Sequence, residues 1–500
     1  MKFRWSTVLV LVVILVAVKN AAQGQVCTPS SNTLCDGPAE LPRVFSSQPA
    51  FPDPCPYTQG EKGTDACGFM VTQITAREGA VALQNTVNAP VCGTGGAIIA
   101  LQSGAMFRRL ASNELTLRYQ DGSCAGKWII IRSDVSDSRM PPYNRQGQRA
   151  VPSDASLFAT LQAEPTTSAV VATAPVTPGS GQGPNHYWLM GLNLAAAVGI
   201  KTDPYLVQIG QGEKYVRDLP NSITIDRCYI HGPNGTTEIH RDVDAEGAYI
   251  AVLNSWLTVV NKDVEQQTVA FYNTPGPILI DNNHLEGGAE QIMSGGAHPS
   301  IVGGVIAADV TISRNHMYRN PAYYPGSSNY NGFPLVVKND IEFKAVERVL
   351  VQGNVMDYDW AGFTQNGDAL VINPESQTGT YSYVVTNDIT FRYNIIRHAN
   401  AALTIGVGMP VYGNGAQTHG VARVSIHDNI FTDIGTKWGV FLQNGKKVVD
   451  RYYGVTIVSS QDPVAKTPME LHMDHNDFLT GTQQASVFWA NLGNFAGSGY

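Results

Sequence analysis

In a chain with only 15% charged residues, the segment VKNDIEFKAVER (337–348) gathers Lys338, Glu342, Lys344 and Arg348 within twelve positions. Alternation through Ile341 and Phe343 predicts a strand that buries those two side chains and turns Glu342 and Lys344 to the opposite face. Arg314 and His316 lie shortly before it, and GAEQIMSGGAHP (288–299) brings Glu290 and His298 onto what reads as a glycine-rich loop. Such a set matches the needs of β-elimination on a uronic-acid polymer. A base removes the proton beside the carboxylate, and positive charge or a metal steadies the enolate. On this reading Lys338 or Lys344 is the base, with its pKa lowered by nearby cations. Arg314 or Arg348 neutralises the carboxylate, and Glu290 with Glu342 holds a Ca²⁺. The same residues would equally serve as structural ion pairs between neighbouring strands.

A second constellation emerges from an eight-residue pattern: apolar, any, apolar, any, any, Asn, any, apolar. It recurs as ILIDNNHL (278–285), VTISRNHM (310–317), VLVQGNVM (349–356), ITFRYNII (389–396), VSIHDNIF (424–431) and LHMDHNDF (471–478). ITIDRCYI (223–230) carries Cys228 in the Asn position, IAVLNSWL (250–257) carries Ser255, and YWLMGLNL (187–194) is degenerate. The position after the Asn reads Tyr229, Trp256, His284, His316, Val355 and Ile395. Four consecutive rings at one repeat position would form a stacking platform for sugar faces, or would merely stack on one another over the core. Three residues past the Asn come His231, Thr258, Glu286, Tyr318, Asp357 and Arg397, with Arg319, Tyr358, His398 and Asp433 beside them. Titratable groups on one stripe of a charge-poor protein make a candidate cleft.

Strands that alternate, followed by a turn centred on Asn, must position these columns. Asn suits such a turn because it tolerates left-handed backbone. Most intervals between Asn positions run from 27 to 40 residues, which is one coil of a solenoid with loops of varying length. With no helical periodicity between copies, 49 Gly and 28 Pro, the expected architecture is all-β, a right-handed parallel β-helix of about nine or more coils. Outward residues of successive coils would then stack about 4.8 Å apart, with the Asn amides forming an internal ladder and Cys228 buried, reduced and unpaired within it.

The N-terminus reads as a secretory leader over residues 1–24. Lys2 and Arg4 precede an apolar run from Val8 to Val18, too short for the ~20 residues a span requires. Residues 25–74, rich in Pro and Cys, read as a disulfide-tied extension or cap, and 75–500 as the β-helix. Six cysteines between Cys27 and Cys124 suggest three disulfides; sequence leaves 15 pairings open, of which sequential pairing is the simplest. Without Lys2, Arg4 and Lys19 the chain carries 30 basic against 41 acidic residues, net −11, which disfavours nucleic acid as a partner. The chain stops at Gly-Ser-Gly-Tyr with no polar capping segment, so the natural protein is expected to continue into further coils.

The repeats resemble those of the pectin-lyase-like superfamily over roughly 75–500. More closely, GGAIIALQSGAMF (95–107), KWIIIRSD (127–134), ITIDRCYIHG (223–232), GGAEQIMSGGAHPSI (287–301) and VKNDIEFKAVERVLVQGN (337–354) resemble a group of secreted bacterial β-helix proteins defined by sequence rather than activity. The resemblance implies the fold; function has to come from a site. The NTD, DD, GHG and RIK motifs of polygalacturonase-like members are missing, Thr418-His419-Gly420 being the nearest to GHG. The pairs Lys338-Asn339 and Arg397-His398 faintly echo alginate- and chondroitin-lyase-like members. The expected function is a secreted, monomeric protein acting on a polysaccharide by lyase-like β-elimination of an acidic glycan, with no membrane span. The alternative is a non-catalytic glycan-binding or surface-structural β-helix.

Overall fold

A computed structural model describes residues 54–108, 115–142, 148–163, 169–196, 203–232, 239–261, 264–297, 300–333, 335–362, 367–375, 383–407, 421–443, 445–449, 455–459, 471–479 and 488–491. The expected leader, Cys27, Cys35 and His298 lie outside these residues.

Three long sheets run the length of the molecule. Sheet 1 has 13 strands, from Gly63–Thr64 to Leu471–Asp474, and sheets 2 and 3 have 11 each. Apart from the first pair of sheet 1, every neighbouring pair in the three sheets is parallel, and each coil contributes one strand to each sheet in turn. The chain is therefore a parallel β-helix, and among the described residues sheets 2 and 3 count eleven coils. One typical coil passes through Ile278–Asp281 in sheet 1, His284–Gly287 in sheet 2 and Glu290–Ser294 in sheet 3.

Alternation explains the sheets. Ile278, Ile280, Leu285 and Ile292 point into one continuous core shared with Val310, Ile312, Met317 and Ile341 of the next coil. Parallel strands cannot close on a hairpin, so each coil needs the next to bury its apolar face. The N-terminal opening is closed by helix α1 (Gly79–Asn88), whose Ala80, Leu83 and Val87 join the core. This helix lies in a stretch the repeat does not reach. Disulfides Cys55–Cys67 and Cys92–Cys124 tie the same end. No helix among the described residues is long and apolar enough to cross a membrane.

The Asn ladder runs through six coils. The side-chain amides of Asn283, Asn315, Asn354 and Asn394 each donate to the amide oxygen of the next ladder Asn at 3.0 Å, and that of Asn429 to Asn476 at 2.9 Å. Each of those oxygens also accepts the backbone N–H of the preceding ladder residue. Ser255 extends the ladder by accepting the N–H of Cys228 at 3.0 Å. Cys228 is buried and unpaired, and burial pushes its thiol up to about 12. One expectation is corrected here: the ladder Asn is not the left-handed residue. The residue before it is, as in Asn254, Asn282, Arg314, Tyr393 and Asp428, with φ between 50° and 58°. Gly353 takes that place before Asn354 with φ 65°. Turning the chain one residue early aims the amide along the solenoid axis, where its partner in the next coil waits.

Candidate functional site on sheet 2

Sheet 2 carries the two outward columns on one continuous face. The register aligns Tyr229, Trp256, His284, His316, Val355 and Ile395, and beside them His231, Thr258, Glu286, Tyr318, Asp357 and Arg397. The intervening Leu285, Met317 and Met356 belong to the core, so alternation directs both columns away from it.

In the middle of the strip the Trp256 and His284 rings stack with centroids 3.7 Å apart. His284 Nδ1 lies 3.1 Å from His316 Nδ1. Tyr318 tilts toward both imidazoles, at 5.8 and 5.5 Å. Burial lowers the pKa of His284 despite the opposing pull of Glu286. At one end, His231 Nε2 is 2.9 Å from the Asn193 side-chain oxygen, and burial pushes this imidazole down to about 4.

The other end is built around Asp357. One of its oxygens lies 2.6 Å from His398 Nδ1; the other accepts from Arg397 at 2.7 and 3.1 Å and sits 3.8 Å from His316 Nε2. Burial works against ionisation of Asp357. The imidazoles of His316 and His398 and the Arg397 guanidinium outweigh it and hold the carboxyl well below the usual range. His398 stacks on Tyr358 at 4.4 Å and contacts Trp438 edge-on at 5.4 Å. Trp438 in turn donates to Asp433 at 3.2 Å. The side chains of Arg397 and His398 remain 42% and 26% exposed, open enough to meet a ligand.

The structure splits the charged set read around residues 337–348. Lys338, Lys344, Glu290 and Glu342 gather at sheet 3, the two glutamates on its strands and the two lysines flanking the strand Asn339–Phe343. Arg348 lies on sheet 1 and Arg314 at the corner between sheets 1 and 2. Lys338 Nζ is 2.6 Å from Glu290 and 2.7 Å from Glu265. Burial works to lower its pKa, but Glu290, Glu342 and Glu265 prevail and raise it. Lys344, 3.4 Å from Glu342 and 3.6 Å from Glu375, is raised for the same reason. Both lysines are thus held protonated, the reverse of a poised base. Arg314 forks onto Asp281, and Arg348 is tied to Asp309 and Glu347. Glu290 lies on a strand, not a loop. Its oxygens and those of Glu342 face ammonium groups, a poor donor set for Ca²⁺, and no group of three metal-ligating side chains occurs among the described residues. Arg319, expected on the polar stripe, is fully buried and held by Asp340 at 2.8 Å and Asp359 at 3.2 Å.

Two features escaped sequence reasoning. The His398–Asp357 contact joins different columns of adjacent coils, so no local pattern displays it. Asp242-Val-Asp244-Ala-Glu246 does carry a signal, three acids at strand spacing; the structure buries all three, with Asp244 paired to Arg241 at 2.9 Å.

Fold and strip together define a parallel β-helix with a ring-lined, titratable stripe on one sheet. No protein-family model matches the chain, and no curated protein matches its sequence. Solved structures similar to it include an alginate lyase from Paenibacillus sp. (13% identity, 82% of this chain and 97% of that one, TM-score 0.34). Others are a mannuronic-acid-specific lyase from human gut microbiota (13%, 82% and 83%, 0.41) and the A-module of a mannuronan C-5 epimerase from Azotobacter vinelandii (12%, 84% and 98%, 0.36).

Proposed function

We propose that the sheet 2 strip of this secreted, monomeric protein binds an acidic polysaccharide and cleaves it by β-elimination. The observation that carries this reading is the His398–Asp357 contact of 2.6 Å beside Arg397. A histidine that donates Nδ1–H to a carboxylate has its lone pair on Nε2, the tautomer a general base needs. His398 Nε2 takes the proton beside the uronate carboxylate. Arg397, partly exposed, meets the charge that builds on that carboxylate as the enolate forms. Tyr229, Trp256, His284 and His316 offer ring faces along the strip for the neighbouring sugars. Two disulfides fit an oxidising compartment.

Incubation with a panel of uronate polymers, with and without Ca²⁺, and absorbance in the band of the unsaturated product tests the proposal. The expected result is product from at least one polymer, lost in His398→Ala. Absence of product across the panel sinks it. The Trp256–His284 stack then favours a binding surface, for which retention on a glycan array that Trp256→Ala eliminates is the expected sign.

A further inference from the structure

We infer that Arg149 forms a second carboxylate-binding subsite beside the sheet 2 strip, three coils from Arg397, so that a uronate oligomer is held at two points. The inference rests on the reading of the strip as a surface for an acidic polysaccharide and names where a distant uronate of the same chain docks.

Arg149 belongs to no strand. Residues 148–150 run along the corner where sheet 1 turns into sheet 2, pinned to two coils at once. The Ala150 N–H donates to the Asn254 carbonyl at 2.9 Å, and the Asn282 side-chain amide donates to the Gln148 carbonyl at 2.9 Å. The Arg149 guanidinium donates to the Asn283 carbonyl and, at 3.3 Å, to the Asn282 side-chain oxygen. Those two residues immediately precede His284, so the guanidinium borders the strip at the coil of the Trp256–His284 stack. Fixed in this way, it pays little entropy when a ligand arrives.

Arg314, Arg348, Arg397 and Arg423 are part-exposed, and each meets a carboxylate. Arg149 is half-buried, and its bonds among the described residues go to neutral oxygens. Its electrostatic partner is Asp281, which Arg314 and the Ser313 hydroxyl already hold. Burial pushes the guanidinium down to about 10, still protonated at neutral pH. A guanidinium has five N–H donors, and the two bonds leave others for a ligand. A cation that has shed water without gaining a carboxylate is ready to take one.

Across the strip at the same coil stands Glu286, half-buried on the strand His284–Gly287. It accepts from the Thr258 hydroxyl at 3.4 Å and lies within electrostatic reach of the Tyr229, Tyr318 and Tyr323 phenols. No lysine or arginine pairs with it among the described residues; its ion-pair neighbour is His284 at 3.7 Å. That edge repels a carboxylate and accepts hydroxyls, which turns the acid group of a bound uronate toward Arg149. The register from His284 through His316 and Val355 to Ile395 makes three steps to the coil of Arg397. At ~4.8 Å per step the two cations stand about 14 Å apart along the axis. One sugar cannot engage both; an oligomer can.

Calorimetric titration of the full chain carrying His398→Ala, which keeps the ligand intact, tests the subsite. The probes are hexasaccharides of mannuronate, guluronate, galacturonate and glucuronate, each beside its carboxyl-reduced form. Arg149→Gln is expected to weaken binding of at least one uronate hexasaccharide about tenfold, the worth of one hydrogen-bonded charge, and to leave its reduced form bound as before. Arg149→Lys, which keeps the charge but not the planar fork, is expected to show a smaller loss; it carries the same comparison where Arg149→Gln does not fold. Equal losses on both forms, no loss on any uronate hexasaccharide, or a Lys variant as weak as the Gln variant overturns the subsite even if polymer is cleaved. Binding that depends on Arg149 in a protein that releases no unsaturated product refutes the elimination reading alone and leaves the subsite standing. Failure of every hexasaccharide to bind overturns both.

Discussion

Sheets 2 and 3 both carry charged side chains in register, yet they present them to solvent differently. On sheet 3, Lys338 and Lys344 are buried between carboxylates, and Arg241 is tied to Asp244 between the rings of Tyr205 and Tyr272. Its cations are neutralised and largely closed to solvent. On sheet 2, Arg397 and His398 stay part-exposed around a single ionised carboxylate, and His284 and His316 keep unpartnered ring nitrogens. Density of charge marks both faces; a part-exposed arginine and histidine around one carboxylate mark sheet 2.

That contrast can be broken at several points. His398→Ala and Asp357→Asn should each lower the elimination rate by about 10²–10⁴-fold, the range for loss of general base function or its orientation. His398→Ala should leave the melting temperature nearly unchanged. Lys338→Met should show the opposite pattern, a stability loss of about 3 kcal/mol from leaving Glu290 buried without its partner, with the rate per folded molecule retained. Denaturant titration and kcat distinguish the two, and a rate loss at unchanged stability would return the base to sheet 3. Trp256→Ala should weaken glycan retention by roughly 3- to 10-fold, the worth of about one ring contact, measurable by titration calorimetry. A further effect concerns pH. Because His231 titrates near 4 in the fold and near 6.5 when unfolded, its contribution to stability is present above about 6.5 and lost as pH falls toward 4. His231→Gln should flatten the fall in melting temperature across that window.

The sheet 2 columns were legible in the sequence because Asn pins the start of six strands there and the repeat extends the count to two more. Counting forward from each Asn, or from Cys228 and Ser255 in the same repeat position, places Tyr229, Trp256, His284 and His316 in one column without knowing any loop. Counting into sheet 3 fails, since the stretch from Tyr318 to Asn339 is far longer than that from Glu286 to Glu290. Lys338 and Arg314 therefore look near in sequence while facing different sides of the coil. Burial adds a second blind spot: Arg319 sits beside the half-buried Tyr318 in sequence but turns into the corner, where Asp340 and Asp359 hold it. The ion pairs that hold Lys338 protonated cross coils and leave no local trace.

The internal Asn ladder has a consequence for how such a surface can vary. Each amide acts as an index mark that resets the count once per coil, immediately before the strip residues begin. Loops between marks differ from 27 residues between Cys228 and Ser255 to 47 between Asn429 and Asn476, yet the aligned positions on sheet 2 do not drift. Insertions can therefore remodel the walls beside the strip while its floor keeps register, and a substitution in the ladder is expected to blur many floor positions at once.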